Sequence, residues 1–164
     1  MKPTTLVLAA AAAVIASMPA SAQYGRLVPP AKVAALHATA CAGSAPDFAT
    51  ALPKLAAMRK WDEYGRSAKA RPGDRAWLVS LDGQPTIVDI SREGTKQRCS
   101  VNAVTAPGGV LAIVRGQQKR KPDRVVKNAV SGDVNIWRLS PKRVVTVTVP
   151  MGQAIGRITM ETMR

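Results

Sequence analysis

Two cysteines, Cys41 and Cys99, constrain this 164-residue chain more than any other pair of side chains. Cys41 closes AKVAALHATAC, residues 31–41, in which Val33, Leu36, His37, Ala40 and Cys41 share one face at helical spacing. Cys99 lies in KQRCSVNAV, residues 96–104, where Cys99, Val101 and Ala103 alternate as on one side of a strand. A bond between them would clamp a helix against a sheet. The chain has no Cys-x-x-Cys, and His37 is its one histidine, so no redox dithiol or zinc set competes for the thiols. A disulfide here would close a loop of about 59 residues, stabilising the fold by about 4 kcal/mol through chain entropy.

The start of the chain favours that bond. Lys2 precedes LVLAAAAAVIA, residues 6–16, and Ala20-Ser21-Ala22 follows as a small-x-small cleavage pattern. Residues 1–22 therefore read as a secretory signal peptide, cleaved before Gln23. As a helix the apolar run rises only about 16 Å, short of the ~30 Å hydrocarbon core. The expected address is the bacterial periplasm or the outside of the cell, where disulfides persist. The remaining 142 residues suit a single domain and carry 23 basic and ten acidic side chains, a charge of +13. Such a charge favours solubility and attraction to anionic surfaces and says nothing about fold.

Along the chain, residues 23–30 read as an extended lead-in ending in Pro29-Pro30. A second helix is expected from Ser44 or Thr50 to Trp61, with Phe48, Leu52, Leu55 and Met58 near helical spacing and Pro53 in its first turn. A basic, turn-rich connection spans 66–75. The period then changes to two. Trp77, Val79 and Leu81 alternate into Asp82-Gly83, a hairpin signal, and Thr86, Val88 and Ile90 alternate with Ile87 and Asp89. Glu93-Gly94 turns into the strand that holds Cys99. VLAIVRGQQKR, after Ala106-Pro107-Gly108-Gly109, fits helix by spacing and strand by its β-branched content.

An internal echo decides between them. Ala45-Pro46 and Ala106-Pro107 each precede an apolar segment, and Trp77-Leu78-Val79-Ser80 is matched by Trp137-Arg138-Leu139-Ser140. The alternation of residues 86–90 returns in 145–149, and Arg98-Cys99-Ser100-Val101 is matched by Arg157-Ile158-Thr159-Met160. The halves 45–104 and 106–163 would then each be a helix followed by a three-stranded meander. This predicts helix over 108–118, strands over 133–140, 143–149 and 154–163, and a hairpin turn over 150–153. The expected fold is α+β, with antiparallel sheet structure, one sheet or two, and helices on one face. The order of a helical Cys41, a helix ending at Trp61, a strand with Trp77 and a strand with Cys99 resembles short exported bacterial α+β proteins of no assigned function. That resemblance covers most of the chain as a layout and brings no functional residue.

The sequence argues against several chemistries. His37 sits in an Ala-rich helix beside a structural cysteine, which suits packing rather than acid–base work. No Gly-x-Ser-x-Gly elbow occurs, Asp62-Glu63 is the one adjacent acidic pair, and 106–109 lacks the Lys-Ser/Thr of a nucleotide loop. No metal, cofactor or catalytic residue is implied. An enzyme whose site is assembled from scattered Asp, Ser and Arg is the competing reading, and a subunit using 143–149 as an exposed sheet edge is a third.

One motif asks for a ligand. RGQQKRKPDRVVK, residues 115–127, holds six basic residues in thirteen. Arg115, Lys119, Arg120, Lys121, Arg124 and Lys127 are the candidate anion contacts. Lys119 to Lys121 would also complement the dipole at a helix C-terminus with no ligand at all. Arg138, Lys142 and Arg143 could join the cluster from neighbouring strands. Aromatics are only 4% of the chain, too few for base stacking, so nucleic acid is not the partner expected for an exported protein. An anionic envelope polymer, lipid headgroups or an acidic protein fit better, against the alternative of a merely solvated surface.

Overall fold

The computed structural model describes residues 26–45, 48, 74–129, 132–150 and 154–163. The expected signal peptide, most of the expected second helix and most of the 66–75 connection lie outside these residues. So does the tip of the 150–153 turn.

Val28 is extended and buried, its N–H donating to the Val104 carbonyl at 2.8 Å, while Thr105 Oγ1 donates to the Val28 carbonyl at 2.7 Å. Helix α1, Pro30–Ala40, follows at once, with Pro30 in the first turn where a missing N–H costs nothing. The lead-in therefore stops at Pro29, and Cys41 caps the helix instead of ending it, its N–H still bonding the His37 carbonyl at 2.9 Å. A 3-10 turn, Ala42–Ser44, comes next, and Phe48 is fully buried.

The strands are β1 (Arg75–Leu81), β2 (Gln84–Glu93), β3 (Lys96–Val104), β4 (Arg124–Val126), β5 (Asp133–Ser140), β6 (Arg143–Val149) and β7 (Ile155–Met163). Helix α2, Gly109–Gln118, connects β3 to β4. The seven strands form one antiparallel sheet in the order β1-β2-β3-β7-β6-β5-β4. Two meanders thus join through the β3–β7 pair. The expectation that 143–149 is a sheet edge is wrong: β6 pairs β7 on one side and β5 on the other, so both its hydrogen-bonding edges are used. The edge beyond β5 belongs to β4, a three-residue strand that the sequence reading missed inside the charge run.

Alternation sorts the two faces of the sheet. Val88, Val101, Ile158 and Val147 form one buried cross-strand row, and Cys99, Met160, Val145 and Trp137 form the next. Helix α1 packs against α2, β3 and β7, and α2 against β6 and β7. They bring Val33, Leu36 and Ala40 from α1 and Val110 and Val114 from α2 into the same core. Val110 and Val114, one turn apart and both buried, explain why a β-branched segment is helical: tertiary packing outweighs propensity.

Gly156 sets how closely α2 lies on the sheet. A Cβ there would stand 2.6 Å from Thr105 Cγ2 and 2.9 Å from Val110 Cγ2. Gly156→Ala is expected to cost about 1–3 kcal/mol in urea denaturation, because both neighbours are buried and cannot yield freely. An unchanged midpoint would mean that α2 does not pack this closely.

The Cys41–Cys99 disulfide is formed, with Cα atoms 5.4 Å apart and both residues fully buried. It ties the end of α1 to the middle of β3. His37, one turn before Cys41, is 4% exposed, and its Nε2 has no hydrogen-bond partner among the described residues.

Candidate functional site

The fold divides the basic stretch into parts with different duties. Helix α2 ends at Gln118, and Lys119 takes a left-handed conformation (φ 52°) with its N–H bonded to the Arg115 carbonyl. Glycine fills that position in many helices, since it has no Cβ to strain. Arg120 then folds back on β5. Its guanidinium pairs with Asp123 and donates to the Arg138 carbonyl at 2.8 Å, and its own carbonyl accepts from Trp137 Nε1 at 3.2 Å. Asp123 accepts the Arg138 N–H at 2.6 Å. That bond, with the Arg120 guanidinium, holds the Asp123 carboxyl below the usual carboxylate range. Arg120 is thus a tie between the α2–β4 connection and β5. No local pattern in the sequence signals this tertiary approach.

Lys119 and Lys121 are exposed on the connection. Arg124 pairs with Ile136, which places it in the row of Thr146, Thr159, Ser100 and Asp89, on the opposite face from the rows of Val88 and Cys99. The six candidates therefore do not form one patch. Two of them, Arg115 and Lys127, line a common groove of about 720 Å³, within the range of ligand sites.

The groove lies between α2 and the β4 end of the sheet. Leu111 and Arg115 reach it from successive turns of α2, Val125 from β4, and Val149 with Pro150 from the end of β6. Its floor is apolar, and Val125 is 42% exposed there. Lys127, Asn128, Asp133 and Asn135 supply the polar side. Lys127 pairs with Asp133, but its side chain is 79% exposed, so the pair contributes little and is easily exchanged. Arg115 makes no ion pair among the described residues. The described lining residues therefore sum to one net positive charge, which Arg115 carries beside an apolar floor.

The sequence reading missed Leu111, Val125, Val149 and Asn135 as site residues. One signal was present. Asp133, Asn135 and Trp137 alternate along β5, so two polar residues share the inward face of a core tryptophan. A polar residue on an inward face marks the point where the core opens.

The other face of the sheet carries a second polar set. Asp89 accepts from Asn102 at 2.8 Å, Arg157 donates to Ser100 Oγ at 3.2 Å and lies 3.7 Å from Asp89, and Thr159 donates to Ser100 at 3.0 Å. Beside it, Arg98 bonds Glu161 at 2.7 Å and Glu93 at 3.3 Å, with Lys96 at 3.8 Å from Glu161. Burial pushes the Asp89 carboxyl up, against the pull of Arg157 and of bonds from Asn102 and Ser100. This is the juxtaposition of Asp, Ser and Arg that the competing enzyme reading asks for. Yet Ser100 is fully buried and its hydroxyl is saturated by neighbours, so no substrate atom can reach it in this arrangement. The set acts as a cross-strand ladder.

Among the described residues, no group of three or more His, Cys, Asp or Glu could hold a metal ion, and no helix is long and apolar enough to cross a membrane. No protein-family model matches the chain, and neither the curated proteins nor the solved structures contain a match.

Proposed function

We propose that this is an exported, non-catalytic binding protein that holds an anionic envelope component at the Arg115–Lys127 groove. The observation that carries the reading is Arg115: a cation with no ion pair among the described residues, at an open groove, in a chain of net charge +14. The disulfide supports the export half, since a fully buried cystine is what an oxidising compartment preserves. It joins the signal-peptide pattern of residues 1–22. Both helices are taken to cover one face of the sheet, which leaves the groove as the open end of that layer. Strand addition at the β4 edge is disfavoured. β4 is only three residues long and is flanked by Lys121, Pro122 and Lys127, features that blunt an edge against pairing.

The test is retention on vesicles across a sodium chloride series. Phosphatidylglycerol vesicles are expected to retain the protein at low salt and release it as salt rises, while phosphatidylcholine vesicles do not retain it. Arg115→Gln should lower the releasing salt concentration more than Arg143→Gln, a charge at the far end of β6. Equal retention on both vesicles, or equal effects of the two substitutions, would contradict the reading.

A further inference from the structure

The groove asks for more than charge. A purely ionic polymer has no use for Leu111, Val125 and Val149, which stay partly open to solvent beside Arg115. A neutral lipid has no use for Arg115, a cation with no ion pair among the described residues. We infer that the groove takes one molecule of a single-chain anionic amphiphile, its carboxylate or phosphate on Arg115 and its chain along Leu111, Val125 and Val149. This rests on the binding reading above and names its ligand class.

Three features fix the class. The first is charge: Lys127 is matched by Asp133, so the site complements one negative charge, not a polyanion. Arg115 has the planar fork that bonds a carboxylate or phosphate through two parallel N–H donors. The second is placement: Leu111 and Arg115 are four residues apart on α2, so the cation stands one turn beyond an apolar contact on the same helix face. A head group and the first carbons of a chain have that spacing. The third is size: about 720 Å³ suits one chain rather than a two-chain lipid or a bilayer patch. The exposed pair Lys127–Asp133 would rim the site, and Asn128 would lie beside it.

The experiment is calorimetric titration of the full exported protein with laurate below its micellar concentration, with dodecanol, butyrate, dodecyl phosphate and inorganic phosphate as comparisons. Laurate and dodecyl phosphate are expected to bind at one site per chain. Dodecanol should bind about tenfold or more weaker for want of a charge, and butyrate weaker by up to about fourfold for each methylene lost from the floor. Arg115→Gln should weaken laurate about tenfold, Val125→Ser several-fold, and Arg143→Gln not at all. Butyrate matching laurate, or inorganic phosphate matching dodecyl phosphate, overturns the inference and leaves the vesicle result standing. Dodecanol matching laurate, or Arg115→Gln without effect on laurate, overturns it through the charge. Laurate binding without salt-dependent vesicle retention would instead sink the envelope reading and keep the amphiphile.

Discussion

Replacing Cys41 and Cys99 together with alanine is expected to lower the unfolding free energy by about 4 kcal/mol, the largest effect of any change considered for this chain. The bond joins residues 58 apart, so its loss frees a long loop in the unfolded chain. Its loss also loosens a specific contact. Helix α1 has eleven residues and no side-chain N-cap bond, and a helix that short is marginal in water by itself. It is held by burial of Val33, Leu36 and Ala40 and by its covalent tie to β3. Both sulfurs are enclosed, so a reductant should reach them only when the protein opens. The expected observation is a urea midpoint far below wild type for the double variant, and thiol labelling in reductant that accelerates with denaturant. Equal midpoints for the two forms would mean that the sheet holds α1 without the bond.

Acidification should bring the second large effect, through His37. Burial without a partner for Nε2 pulls its pKa down to about 4 from an ordinary value of 6.5. The folded protein therefore keeps the imidazole neutral where the unfolded chain protonates it. Stability is fully present above about pH 6.5, falls as pH drops through the interval to about 4, and levels off below. A shift of that size corresponds to about 3 kcal/mol. Asp89 acts in the opposite direction: its carboxyl is raised, so the folded state gains as that group takes up its proton. Asp123, held low, loses its favourable contact only as pH falls below the ordinary carboxylate range. The difference between wild type and His37→Gln removes both carboxylates from the comparison. That difference is expected to fall as pH drops from 6.5 to 4, and a difference that stays constant across the interval would place the acid sensitivity elsewhere.

Much of this fold can be read from local pattern. Period-two alternation meets Asp82-Gly83 and Glu93-Gly94 at the hairpin turns, and the observed β1, β2 and β3 start and stop there. Strands β5, β6 and β7 were legible through their echo of the first meander, and the same echo placed α2 where composition alone was divided. The order of strands was not legible. β6 alternates Val with Thr, which reads as a half-exposed edge, yet its position is set by the β3–β7 pairing, a contact between distant segments. β4 was hidden because three residues beside Pro122 and four cations carry no period. Within the site, Arg115 and Lys127 were visible as charge. That Arg120 is spent on Asp123 and Arg138 depends on a chain reversal that brings residues 18 apart into contact. The apolar floor went unmarked, because sequence reveals which residues are apolar and not which of them end up lining a groove.

Backbone amide shifts during a laurate titration would test the central claim most directly, since they locate the ligand residue by residue. The account predicts saturable perturbations at Leu111, Arg115, Val125, Lys127 and Val149, with Asp89, Ser100 and Arg157 on the other face unmoved. Perturbations centred on that other face, or spread evenly over the exposed cations Lys121, Lys142 and Arg143, would contradict it.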